Sequence, residues 1–220
     1  MANTNMFINY NELPFPHVIV DGAISQECAD NLSGYAHGIE EESISFKRNG
    51  ESQDNMQMFN NSHGIDGCNE PYHSQVQVAM DRASRLFDEY DPTKRKWAHS
   101  LTETNRHHGN HLHPHTDDPA ELQKRNGNEH PVATLKCVLY LPNNRTNYQH
   151  YGTKVYANND RSSFIKEIDF EQCRLFMWKT CPQSFHGTDF VEGLPLRRIF
   201  YTGEYMPHQG MEAGLHWDKK

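Results

Sequence analysis

Downstream of Trp97 the chain reads as a series of short strand-like segments broken by turns, with no long helix between them. They are "WAHSLTETN", "HLHPHT", "VATLKCVLYL", "TKVYA", "CRLFMWK" and "RRIFYTGEY". Parallel neighbours would need helical crossovers, so segments spaced this way point to an antiparallel sandwich or barrel. This run of strands constrains the fold more than any other feature.

Upstream the texture is different. "FPHVIVDGAI" reads as a strand ending at an Asp-Gly turn, and "SQECADNLSGYAHGI" as a helix with Ser25 as its N-cap. In "HSQVQVAMDRASRLFDEYDP" the residues Val76, Ala79, Met80, Ala83, Leu86, Phe87 and Tyr90 recur at helical spacing, with Pro92 as the stop. That stripe is read as core packing. The segment from about Glu41 to Tyr72 is polar and rich in Asn, Ser and Gly, and is expected to be irregular, a loop able to cover a site. The expectation is one domain over residues 1–220: a strand and helices in 1–96, a β-core in 97–206, and a loose tail in 207–220.

Composition removes several function classes. The 21 basic residues against 29 acidic ones give a formal charge of -8, which lacks the basic excess of a general nucleic-acid binder. Only 35% of residues are hydrophobic and 11% are aromatic, so much of the core must be Phe, Tyr and Trp. The five cysteines contain no Cys-x-x-Cys pair, so neither a zinc ribbon nor a redox motif is present. There is no basic start followed by an apolar run, and no apolar segment of membrane-spanning length. The expectation is a soluble, cytoplasmic protein.

The chemistry concentrates in "HLHPHTDDP", residues 111–119. On a strand, alternate side chains share a face, so His111, His113, His115 and Asp117 would point one way. His115 and Asp117 form a His-x-Asp pair able to give one ion a nitrogen and a carboxylate oxygen. Such a pair alone is more often a solvated loop, and it gains meaning from a third ligand and an anion partner. His186 in "QSFHGTDF" follows an apolar strand and is the candidate third ligand, with His150 as its rival. Two histidines and one carboxylate make the facial set of non-haem iron sites, which leaves three positions open. "GLPLRRIFYTGEY" then starts a strand with Arg197 and Arg198. An inward arginine needs a carboxylate partner, and its planar fork binds one through two parallel bonds. In "TLKCVLYLPNN", Lys136, Val138 and Tyr140 share one strand face, so Tyr140 can offer its hydroxyl to the same carboxylate.

The ordered set His115-Thr116-Asp117, "CVLYLPN", "YGTKVY", "SFHGT" and "RRIFYTGEY" resembles the Fe(II)/2-oxoglutarate-dependent oxygenase superfamily, in its prolyl 4-hydroxylase-like branch. "PFPHVIVDGAISQECADNL" is similar to the strand and helix that open many members. The resemblance implies a double-stranded β-helix, a distorted jelly roll with flanking N-terminal helices. It implies Fe(II) held by His115, Asp117 and His186, with 2-oxoglutarate and O2 as co-substrates. Tyr140 matches a tyrosine that bonds the 2-oxoglutarate tail. Anchoring on Thr202-Gly203 puts Arg198 at the position of the co-substrate arginine, with Arg197 as the alternative. The implied reaction hydroxylates an unactivated C–H bond of a peptide or small molecule and releases succinate and CO2. The sequence departs from the pattern at Phe200, at "YGT" where members carry Gly-Gly, and at Glu204, where they often carry tryptophan. A cupin-like metal enzyme without 2-oxoglutarate, or a non-enzymatic barrel, are the alternative readings; the second requires that the three ligands not converge.

Overall fold

The computed structural model describes residues 6–38, 46–48, 51–53, 56–59, 70–104, 113–118, 120, 133–142, 151–188 and 198–207. The N-terminal strands are β1 (Phe7–Asn11) and β2 (His17–Asp21), followed by helix α1 (Gln26–Gly38). Three short strands, β3 (Phe46–Arg48), β4 (Glu51–Gln53) and β5 (Met56–Phe59), precede helix α2 (Glu70–Ser84). Then come β6 (Arg95–Thr104), β7 (Leu135–Tyr140), β8 (Thr153–Tyr156) and β9 (Phe164–Ile168). The series ends with β10 (Leu175–Lys179), β11 (His186–Gly187) and β12 (Arg198–Pro207). Among the described residues no helix is long and apolar enough to cross a membrane.

The architecture is mainly β and antiparallel. Seven strands form the main sheet in the order β1-β2-β10-β7-β12-β6-β5, and three form a small sheet in the order β11-β8-β9. β7 and β10 are apolar almost throughout because both faces of the main sheet are covered. One face packs Val18, Val20, Cys137, Leu139, Leu175, Met177 and Tyr201 with Leu32 of α1 and Val76 and Met80 of α2. The other packs Val138, Tyr140, Phe176, Trp178 and Phe200 with Val155 and Ile168 of the small sheet. Alternation along each strand sorts its residues between these two cores.

Local signals explain most element ends. β2 stops at Gly22, whose φ of 66° suits glycine. Ser25 caps α1 as expected, its Oγ accepting the Cys28 N–H at 3.2 Å. α2 departs from the sequence reading, because it ends at Ser84 and not at Pro92. The following amides of Leu86, Phe87 and Tyr90 bond three residues back, to Ala83, Ser84 and Phe87. The apolar stripe therefore continues through tight turns, with Phe87 still buried and Leu86 exposed. The segment expected to be an irregular loop contains β3–β5, and β5 pairs with β6 at the edge of the main sheet. β2 lies inside that sheet between β1 and β10. The tail beyond Pro207 lies outside the described residues.

Candidate metal centre

His115 and His186 meet backbone to backbone. Each amide donates to the other's carbonyl at 3.0 Å, the reciprocal pair of an antiparallel bridge. The pairing sets the two rings side by side, with centroids 4.5 Å apart. β11 also pairs with β8, His186 opposite Val155, so His115 extends the small sheet by one residue. The strand expected over "HLHPHT" is thus reduced to this bridge among residues 113–118. Pro114 has no N–H to continue a ladder, and β11 is only two residues long.

Asp117 follows two residues later and turns back toward the pair. One ligand atom from each of His115, Asp117 and His186 lies within 4.8 Å of the others. Both histidines have their Nδ1 atoms engaged: His115 Nδ1–H donates to the His113 carbonyl at 2.8 Å, and His186 Nδ1–H to the Ser184 carbonyl at 2.9 Å. These bonds set the tautomer, so each Nε2 carries the lone pair of a ligand. His186 Nε2 is 3.3 Å from Asp117 Oδ2. The Trp178 ring packs on His186 with centroids 4.7 Å apart and screens it from water.

The electrostatics suit a dication. Burial, with the neighbouring His186 adding to it, pushes the His115 imidazole down to about 4. It is neutral at physiological pH and has no proton to lose on binding a metal. Burial alone would raise the Asp117 carboxyl, but the Lys136 ammonium works against it, and the group is held well below the usual carboxylate range. Lys136 Nζ reaches Asp117 Oδ1 at 3.2 Å and Glu204 Oε1 at 2.8 Å. Burial disfavours the charge on Lys136, yet the two carboxylates raise its pKa.

The remaining sequence candidates fall in different places. Tyr140 is fully buried in the core between the sheets, the same cluster that holds Trp178. Its hydroxyl donates to Thr153 Oγ1 at 2.7 Å. Arg198 opens β12 opposite Thr104, but its side chain lies outside the described residues, as does Arg197 altogether. His111 and His150 also lie outside them. His113 is exposed and contributes its carbonyl to His115.

Sequence reasoning placed Lys136 on the right strand face and gave it no task, and it treated Glu204 only as a departure. The available signal was a lysine in an otherwise apolar strand. Its partner follows from register, since Glu204 stands directly opposite Lys136 across β7 and β12.

A small antiparallel sheet extended by the His115 bridge packs on a larger sheet, and beside it two histidines and a carboxylate lie close enough together that they could hold a metal ion. No family model and no curated protein sequence matches the chain. Solved structures do. A prolyl hydroxylase from Trichoplax adhaerens, in complex with a hypoxia inducible factor oxygen degradation domain peptide fragment, is similar at a TM-score of 0.55 and 16% identity, covering 90% of this chain and 86% of that one. A prolyl-4-hydroxylase from Pseudomonas putida is similar at 0.51 and 12%, covering 86% of this chain and 91% of its own. The non-haem alpha-ketoglutarate-dependent epimerase SnoN from nogalamycin biosynthesis is similar at 0.54 and 12%, covering 86% and 77%. The fold is therefore the double-stranded β-helix of prolyl hydroxylases and related non-haem 2-oxoglutarate-dependent enzymes, as the sequence resemblance implied.

Proposed function

We propose that the protein is an Fe(II)- and 2-oxoglutarate-dependent dioxygenase that hydroxylates an unactivated C–H bond of a peptide or small molecule, with succinate and CO2 as further products. The observation that carries this reading is the convergence of the His115, Asp117 and His186 ligand atoms within 4.8 Å. The donor set fits the ion: two imidazoles with Nδ1 already bonded to backbone carbonyls, and one ionised carboxylate. Bound Fe(II) supplies the dioxygen chemistry that no side chain provides.

The chain's own residues then have separable tasks. His115 and His186 hold the ion through Nε2, and Asp117 through a carboxylate oxygen. Trp178 closes one side of His186 and keeps that side dry. Tyr140 and Arg198 are the proposed partners of the distal carboxylate of 2-oxoglutarate, the arginine through its two-pronged guanidinium and the tyrosine through its hydroxyl, whose proton would turn from Thr153 Oγ1 to the carboxylate. Arg198 has the strand parity of Phe200 and Glu204, which supports the choice over Arg197. A peptide is bound in the Trichoplax adhaerens structure, and SnoN is an epimerase, so both peptides and small molecules belong among the substrates to test.

The test is an anaerobic titration with Fe(II) and then 2-oxoglutarate, watched for a visible charge-transfer band. A band supports the assignment. Iron bound without a band sinks the co-substrate and leaves a metal enzyme of another kind. In air, Asp117→Ala should reduce substrate-free succinate formation at least ~10-fold, the scale seen when support of a metal site is lost; an unchanged rate removes Asp117 from the site.

A further inference from the structure

The two oxygens of Asp117 have different neighbours. Oδ2 faces His186 Nε2 at 3.3 Å, on the side where the three ligand atoms converge. Oδ1 is engaged by Lys136 Nζ at 3.2 Å. Lys136 is itself held, because Glu204 stands opposite it in the β7–β12 register and takes its ammonium at 2.8 Å. The Lys136 side chain is only 18% exposed, and Asp117 14%. A charge so enclosed stays with its carboxylates, since breaking either contact leaves a buried charge less well compensated. Glu204 occupies the place where the resembled family often carries tryptophan, so the clamp comes with a departure from that pattern.

A carboxylate can meet a dication through one oxygen or through both. An oxygen already facing an ammonium is poorly placed to turn toward a second cation. We propose that Lys136 is a positioning residue that confines Asp117 to a single metal-binding oxygen and so preserves an open position at the ion. Lys136 belongs to the main sheet and the ligating histidines to the small sheet or its extension, so the contact also fixes the carboxylate relative to both layers. The inference rests on the reading of His115, Asp117 and His186 as a metal site.

The experiment loads the full-length protein with Mn(II) and measures water-proton relaxation at saturating metal. Three protein donors leave three positions for water. In Lys136→Met the freed Oδ1 takes one of them, and the relaxation enhancement per bound Mn(II) falls by about one third. Lys136→Arg, which returns an N–H donor and a positive charge, recovers most of the loss. Lys136→Leu replaces the methionine variant if that one does not fold, as checked by thermal unfolding without metal. Undiminished relaxation in a folded, saturated Met or Leu variant overturns the proposal, and so does a loss that arginine fails to recover. If the unaltered protein binds no Mn(II), the metal-site reading falls, and this inference with it. If it binds Mn(II) and the variants keep full hydration, only the role of Lys136 falls.

Discussion

The two faces of β7, β10 and β12 are built from alternate residues of the same strands, yet they do different work. Toward the helices, Cys137, Leu139, Leu175, Met177, Tyr201 and Tyr205 form an apolar face, with Lys179 at its margin where β10 ends, paired with Glu89. Toward the small sheet, the same strands present Lys136, Trp178 and Glu204 along with Val138, Tyr140 and Phe200. The first face gains stability from removing apolar surface from water. The second accepts the cost of buried charge and offsets it by pairing. The comparison teaches that one sheet can be a packing surface on one side and a chemical surface on the other, because successive residues of a strand never share a face.

The largest expected effect breaks the packing face and leaves the other intact. Leu139→Ala removes a β7 side chain that is 1% exposed. It should cost about 2–5 kcal/mol, read by thermal or denaturant unfolding. Mn(II) affinity measured well below the midpoint should not change; a parallel loss of affinity would show that the faces are coupled.

The next effect belongs to the chemical face and depends on pH. His115 titrates near 6.5 when unfolded and at about 4 when folded, so the unfolded chain binds more protons between those values. Stability of the metal-free protein should therefore be full above about pH 6.5 and fall as the pH drops toward 4, by roughly 3 kcal/mol from this group. The Lys136-paired Asp117 carboxylate extends the loss to lower pH, because its folded value is also depressed. His17, buried with its Nδ1–H on the Phe15 carbonyl, is depressed by burial and acts in the same direction. His115→Gln should flatten the upper part of the profile in urea titrations from pH 7 to pH 4; an unaltered profile would remove His115 as its source.

A smaller effect sharpens the contrast at one strand position. Gly203 stands opposite Cys137 in the β7–β12 register and faces the helices. A Cβ there would come to 2.8 Å from Cys137 Sγ, 3.0 Å from Trp97 Cε3 and 3.1 Å from Met80 Cε. Gly203→Ala should cost about 1–3 kcal/mol through overpacking. Its neighbour Glu204 points the other way, so hydration of bound Mn(II) should match that of the unaltered protein.

Much of this organisation was legible in the sequence. The apolar runs of β7 and β10, the strand at Val18–Val20 and the Ser25 cap are local signals, and local signals survive into the structure. His115, Asp117 and His186 were singled out because their residue types and order resemble a known ligand pattern, and the structure brings the three together. Less was legible where pairing partners are distant. β9 carries exposed Phe164 and Ile165 and buries only Ile168, so it offers no clean alternation to read. β11 is two residues long and exists only because β8 and His115 flank it. The end of α2 was misplaced because the apolar spacing continues through the turns after Ser84, where Leu86 and Phe87 no longer share one helix face.

The sequence by itself determined which residues can bind a metal and which runs must be buried, since both are properties of side-chain chemistry and short-range periodicity. Only the tertiary structure decided that the His115 and His186 amides and carbonyls pair, that their Nδ1 atoms are bonded to backbone carbonyls, and that Lys136 sits between Asp117 and Glu204. Each of those contacts joins residues from separate strands or depends on which way the chain turns. Strand register sets them, and register is a property of the assembled sheets.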